Sequence, residues 1–235
     1  MRIFPLFSSL IVLVLGLVSA VPIHAAGETT KTRTIDAQSV KSIILKAGVG
    51  SVRIEAGSGE KIEARVVLRA KRNTGIFSSL PDVEKLEISS TTRGDQLEVG
   101  VDAKNIQEDW VLRVPSKSLS ALEVMLGVGD VKVFAPAKRI ELDLGVGDAD
   151  VDVVSGAIKV NVGTGNLRIK TALANAGEIK GTTGVGSTSL KGLEGTVKSN
   201  AVGGRVSGQG GGQQPIDATV GVGDLSIELD GKSLP

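Results

Sequence analysis

The chain has no cysteine and no tyrosine, and only one tryptophan and one histidine, in 235 residues. Without thiols there can be no disulfide staples, no cysteine metal ligands and no cysteine nucleophile. The lone histidine, His24, lies in a leader that we expect to be removed, so the mature chain has no imidazole and no Ser-His-Asp mechanism. Aromatic side chains are scarce as well. Beyond the leader only Phe77, Trp110 and Phe134 could stack on a sugar ring. Neither sign of charge dominates, with 27 basic against 26 acidic side chains. Losing Arg2 with the leader makes the balance neutral, which argues against nucleic acid or an acidic membrane surface as the main partner. No long apolar run follows the leader, so no membrane span is expected after cleavage.

Residues 1–25 read as a secretory signal. Arg2 supplies the positive charge, Leu10–Val18 the apolar run, and Ala20 or Ala25 the small residue before cleavage. A membrane anchor would need about 20 apolar residues, and Pro5 and Pro22 bracket a shorter stretch. No cysteine follows for lipid attachment. The expected location is therefore the periplasm or the medium.

Glycine is what the chain has in abundance, at 31 residues. Each would cost a helix interior about 1 kcal/mol, so β structure is expected. The glycines are also ordered. A Gly-Val-Gly-like corner recurs, its second glycine at Gly50, Gly129, Gly147, Gly165, Gly186, Gly204 and Gly223. From Gly129 the steps are 18, 18, 21, 18 and 19 residues, and Gly50 lies 79 residues earlier, close to four further steps.

Side chains follow the same period. Two positions after each corner stand Val52, Val131, Ala149, Leu167, Thr188, Val206 and Leu225. Four after stand Ile54, Val133, Val151, Ile169, Leu190, Gly208 and Ile227; seven before stand Ile43, Leu122, Ile140, Ile158, Ile179, Val197 and Ile216. Between these columns the residues are mostly polar, and such alternation marks a strand buried on one face. Two short strands per repeat cannot bury that face alone, but stacked repeats can, with equivalent residues about 4.8 Å apart. The expectation is an all-β fold, a parallel β-solenoid of about 18-residue coils, right-handed by the general preference of parallel crossovers.

The N-terminal half is less regular. Val40–Lys46, Val52–Glu55, Lys61–Ala70, Leu86–Ser89, Gln96–Val101 and Trp110–Val114 read as strands, and Lys71–Val83 as a loop broken by Asn73-Thr74-Gly75 and Pro81. We therefore expect an irregular N-terminal β region over residues 26–115 and regular solenoid repeats over 116–235. Within the latter, Gly203–Gly212 has almost no aliphatic residue and should form a thin coil, before Ile216–Leu229 restores a full one.

The run Trp110-Val-Leu-Arg-Val-Pro115, followed by Leu119–Met125 and Leu126-Gly-Val-Gly-Asp-Val-Lys-Val133, resembles the bacterial domain-of-unknown-function family known as the putative adhesins. The likeness covers about residues 38–229. It implies an exported Gly-Val-Gly-Asp repeat β-solenoid with no established catalytic residues, so no site residue is carried over from it.

Candidate sites come from the outward columns. Asp130 and Asp148 follow successive corners, and Asp150 and Asp152 continue the same face. Calcium could bridge such carboxylates. The calcium-binding nonapeptide roll, however, has a glycine-rich loop in both halves of each turn, and Val133–Leu142 has none, so a solvated acidic face is the simpler reading. Lys132, Asp150 and Arg168 alternate in sign on successive rungs, as a register-fixing charge ladder would. Arg93-Gly94-Asp95 could be an integrin-type ligand but reads better as a hairpin turn. A polysaccharide-active enzyme would need paired carboxylates in a cleft, and Asp148, Asp150 and Asp152 lie on one flat strand. The Gly203-Gly204 and Gly208–Gly212 runs lack the Lys-Ser/Thr and helix of a phosphate loop.

The expectation is an exported, non-enzymatic binding or scaffold protein with no catalytic residue, cofactor or metal. Its working face would carry Asp130, Lys132, Asp148, Asp150, Asp152 and Arg168. Its partner would be an envelope protein or glycan, and the open end of the stack could self-associate.

Overall fold

The computed structural model describes residues 27–71, 81–115, 119–153, 156–171, 176–191, 195–201, 206–209 and 214–228. The leader, most of the loop expected over Lys71–Val83 and most of the thin Gly203–Gly212 coil lie outside these residues. Among these residues seventeen strands form one mixed sheet. Six of them build the N-terminal half: β1 (Glu28–Asp36), β2 (Ser42–Gly57), β3 (Lys61–Ala70), β4 (Ser89–Arg93), β5 (Gln96–Gly100) and β6 (Ile106–Pro115). A long strand, β7 (Ala121–Phe134), follows. After it the chain runs in pairs, each pair a rung bent at a glycine: β8 (Arg139–Val146) with β9 (Ala149–Val153), β10 (Gly156–Thr164) with β11 (Leu167–Thr171), and β12 (Ala176–Val185) with β13 (Thr188–Lys191). The last two pairs are β14 (Gly195–Ala201) with β15 (Val206–Gln209), and β16 (Gln214–Val222) with β17 (Leu225–Glu228).

From β2 and β7 onward every pairing between rungs is parallel and in register with the glycine period. Ile43, Leu122, Ile140, Ile158, Ile179 and Ile216 form one ladder, none more than 1% exposed. Past the corner, Val52, Val131, Ala149, Leu167, Thr188 and Leu225 form a second, and Ile54, Val133, Val151, Ile169, Leu190 and Ile227 a third, all buried. At about 1.5–3 kcal/mol for each fully buried aliphatic side chain, these ladders hold the stack together without disulfides. The single polar rung in the second ladder is also satisfied, because the hydroxyl of Thr188 lies 2.7 Å from that of Thr183, both buried.

Glycine at the corner is a steric requirement. Gly50, Gly129, Gly147, Gly165, Gly186 and Gly223 have φ between 133° and 143°. A Cβ on Gly129 would sit 1.6 Å from the carbonyl oxygen of Gly50. Rungs thus touch backbone to backbone at each of these corners, a contact that a Cβ on these glycines would block.

Three expectations are corrected. The sheet is not parallel throughout, because β3 pairs antiparallel with both β1 and β6, and β4 antiparallel with β5. These strands cover one end of the stack, where the sheet's edges become β1, paired only with β3, and β4, paired only with β5, among the described residues. Second, no coils separate Gly50 from Gly129. The two corners are direct neighbours, and the intervening chain makes one further rung, β5 and β6 on the other side of β2, plus the antiparallel closure. Third, the last rungs are not stacked in chain order. β16 lies between β12 and β14, and β17 between β13 and β15. An inner rung is covered on two sides and an outer one on only one. The rung rich in aliphatics (Ile216, Ala218, Val220, Leu225 and Ile227, all buried) therefore takes the inner place.

Candidate functional site

Five of the six residues expected on the working face line one groove of about 360 Å³: Asp130, Lys132, Asp148, Asp150 and Arg168. Asn166, Ser187 and Ser189 complete its polar wall, so it crosses four successive rungs. The sixth, Asp152, lies outside it. Two residues beyond Asp150 on β9, its carboxylate faces Lys170 of the next rung at 3.6 Å.

Within the groove the two columns have different roles. The backbone N–H of Asp148 donates to Oδ1 of Asp130 at 3.2 Å, and that of Asn166 to Oδ1 of Asp148 at 2.8 Å. The side-chain amide of Asn166 adds a bond to the same oxygen at 3.0 Å, and the N–H of Ser187 donates to Oδ1 of Asn166 at 3.2 Å. The bend at the corner interrupts the strand ladder, and each amide just past it is satisfied by the side chain one rung earlier. Asp130 and Asp148 thus serve the backbone. Among the described residues no three acidic or metal-ligating side chains converge on one point.

The second column behaves in the opposite way. Lys132, Asp150 and Arg168 are paired opposite one another by backbone register. Yet among the described residues they form no ion pair within 4.0 Å, which corrects the expectation of a charge ladder. Some other surface charges are neutralised internally. Lys46 meets Glu98 at 2.7 Å, Lys159 bonds Glu141, and the amide of Asn161 donates to Asp143 at 2.7 Å. Arg53, one rung before Lys132, bonds Glu55 and lies 4.8 Å above the centre of the Phe134 ring.

Sequence reasoning missed a buried acid at the closed end. Glu108, opposite Gly50, is 3% exposed and accepts from the indole N–H of Trp110 at 2.9 Å and the N–H of Gly48 at 3.3 Å. Burial pushes its carboxyl above the usual carboxylate range, against the pull of those two bonds. The signal was available, since Glu108 keeps phase with Ile106, Trp110 and Leu112, all inward. Its neighbour Asp109 shifts the other way. Burial there acts to raise the carboxyl, but bonds from Ser51, Arg69 and Gln107 and the charge of Arg69 outweigh it and hold it below the usual range. A second groove, about 560 Å³, opens near the other end of the strands between Val40, Lys41, Ser58, Glu60, Pro115 and Leu119. Its residues come from separate segments, and no local pattern announces it. Arg93-Gly94-Asp95 is a hairpin turn with Gly94 at φ 64°, as expected.

A family model described as the N-terminal domain of toast_rack, DUF2154, matches residues 24–169. Among solved structures, a "putative cell adhesion protein" from Clostridium sporogenes ATCC 15579 is similar with a TM-score of 0.51 at 15% identity, over 86% of this chain and 100% of its own. A "putative adhesin" from Bacteroides fragilis NCTC 9343 reaches 0.42 at 13% identity, over 86% and 97%. The first of these likenesses bears on the fold. No curated protein matches the chain. Among the described residues no helix is long and apolar enough to cross a membrane.

Proposed function

We propose, for a chain that belongs to the toast_rack N-terminal domain family DUF2154, the role of an exported, non-enzymatic binding or scaffold protein whose parallel stack winds as a Gly-Val-Gly-Asp β-solenoid. In this reading residues 1–25 direct export to the periplasm or medium, 26–115 form the N-terminal β region and 116–235 the repeats. The groove over Asp130, Lys132, Asp148, Asp150 and Arg168 is the working face. One observation carries it: Lys132, Asp150 and Arg168 line a single groove that crosses four rungs, and among the described residues they form no ion pair within 4.0 Å. Several aligned polar contacts, each weak, give a flat face its affinity.

The test is capture from intact cells with a membrane-impermeant crosslinker, comparing the tagged native chain with a double variant, Lys132→Glu with Arg168→Glu. A specific envelope protein or glycan recovered only with the native chain supports the reading. Equal recovery with both, or an empty native bait, overturns it.

A further inference from the structure

We infer that a file of exposed valines at the bend of the rungs is a docking surface for a second copy of this chain, the two files lying side by side about a two-fold axis parallel to the stack. The inference does not depend on the reading of the groove. Among the described residues the exposed large hydrophobic side chains are Val128, Val146, Val185 and Val222, between 46% and 58% exposed. Backbone register puts all four in one file, interrupted only by Thr164 between Val146 and Val185. At about 4.8 Å per rung the file runs for about 19 Å. Scattered apolar side chains on a surface are ordinary, whereas a contiguous run of them marks an interaction surface. Threonine would serve the extended backbone as well as valine does, yet only one rung of the file uses it.

The relief beside the file says what fits. Val128 stands between Gly127 and Gly129, and neither glycine has room for a side chain. A Cβ would sit 2.6 Å from the carbonyl oxygen of Gly48 in the first case and 1.6 Å from that of Gly50 in the second. The same holds at Val146, Thr164, Val185 and Val222, so the ridge is bordered on both sides by troughs of bare backbone. A second copy, turned about an axis midway between the valines and the glycines that follow them, seats each valine in a trough of its partner and receives a valine in its own. Both files have the same step, so every rung makes the same contact, as identical side chains do in a dry zipper. A helix or a lipid surface has no matching step. Charge favours the same occupant. Asp130, Asp148 and Asp224 are exposed just beyond the following glycines, where they repel a membrane with anionic headgroups. In the two-fold pair each lies opposite the glycine that precedes a valine in the other copy, and not opposite an acid. A strip one residue wide is smaller than the roughly 1,200 Å² of a stable interface, so the pairing is weak and rises with concentration.

The experiment is sedimentation velocity on the mature chain from about 10 µM to 1 mM, where a monomer–dimer equilibrium is expected. Val146→Ser with Val185→Ser should weaken it at least tenfold, and Thr164→Val, which fills the gap in the file, should tighten it. An unchanged thermal transition checks that each variant is folded. Because the chain has no cysteine, single cysteines read the register. Val146→Cys and Val222→Cys should each give a disulfide-linked dimer on mild oxidation, but no mixed dimer together, since the positions lie three rungs, about 14 Å, apart. A mixed dimer in full yield means opposed files and overturns the two-fold axis. A Thr164→Val chain that pairs no tighter overturns the seating of valines in troughs. Monomer throughout, or a dimer that the serine pair leaves unchanged, overturns the docking surface, the latter in favour of a contact elsewhere such as the open end of the stack. Phosphatidylcholine vesicles that carry down the native chain but not the serine pair, with no dimer in solution, give the file to lipid and overturn the second copy.

Discussion

The two ends of the stack are finished differently. At the N-terminal end the last rung, β5 with β6, has Glu108 and not glycine opposite the Gly50 corner and Trp110 opposite Val52, and antiparallel strands β3, β1 and β4 flank it. At the C-terminal end β14 and β15 pair on one side only among the described residues. In between, every rung repeats the same ladders and the same bare corner. A repeated rung needs a surface that its neighbour can copy, which only backbone and aliphatic side chains supply. A terminal rung must stop the copying, and polar or bulky groups do that.

The largest expected effect lies in the repeated part. Val151→Asp places a charge in a ladder that is fully buried and should abolish the cooperative thermal transition, a loss of more than about 4 kcal/mol. Asp152→Asn, the adjacent outward residue, should shift it by less than about 1 kcal/mol. Equal effects would mean that the inward and outward assignments are wrong.

Nearly as large is Gly129→Ala, whose Cβ has no room against Gly50. We expect several kcal/mol by chemical denaturation, whereas Gly94→Ala, in a turn with nothing within 4 Å of the new carbon, should cost about 1–2 kcal/mol from its positive φ alone. If the two cost the same, backbone strain and not rung contact explains the corners.

Thr188→Val leaves the hydroxyl of Thr183 buried and alone, at a cost of about 1–3 kcal/mol. Combining it with Thr183→Val should recover most of that loss, as a double-mutant cycle would show.

The smallest effect separates the closed end from the rest. Because its folded carboxyl sits above the usual range, Glu108 adds stability below the normal carboxylate range. That contribution disappears as pH rises through the elevated value. Glu108→Gln should therefore match the native chain in acid and melt higher at neutral pH. Trp110, the sole tryptophan, should report the titration in its fluorescence, with the signal flat in the variant. Asp109, shifted down, contributes with the opposite sign and loses its contribution as pH falls.

Much of this was legible in the sequence because the repeat writes its own register. The three aliphatic columns are the three ladders, and five of six outward residues share a groove because register carries them there. What failed has physical causes. β1 escaped notice because most of its threonines and Arg33 are exposed, on an edge strand with no inward apolar alternation. Leu86–Ser89 looked like a strand, yet only Ser89 enters one, while Ile88 is buried and Leu86 packs against the core without ladder bonds. The charge column misled because alternating sign on neighbouring rungs permits ion pairs without requiring them. The order of the last rungs left no local trace, since Ile179, Val197 and Ile216 occupy the same register in either order.

That exchanged order bears on synthesis. β14 and β15 leave the ribosome before β16 and β17, yet among the described residues they pair with nothing else. At about 5–20 residues per second, the nascent chain carries a finished but unseated rung until its successor arrives and slides beneath it. A chain cut short after residue 213 would thus forfeit two rungs of pairing for the loss of one.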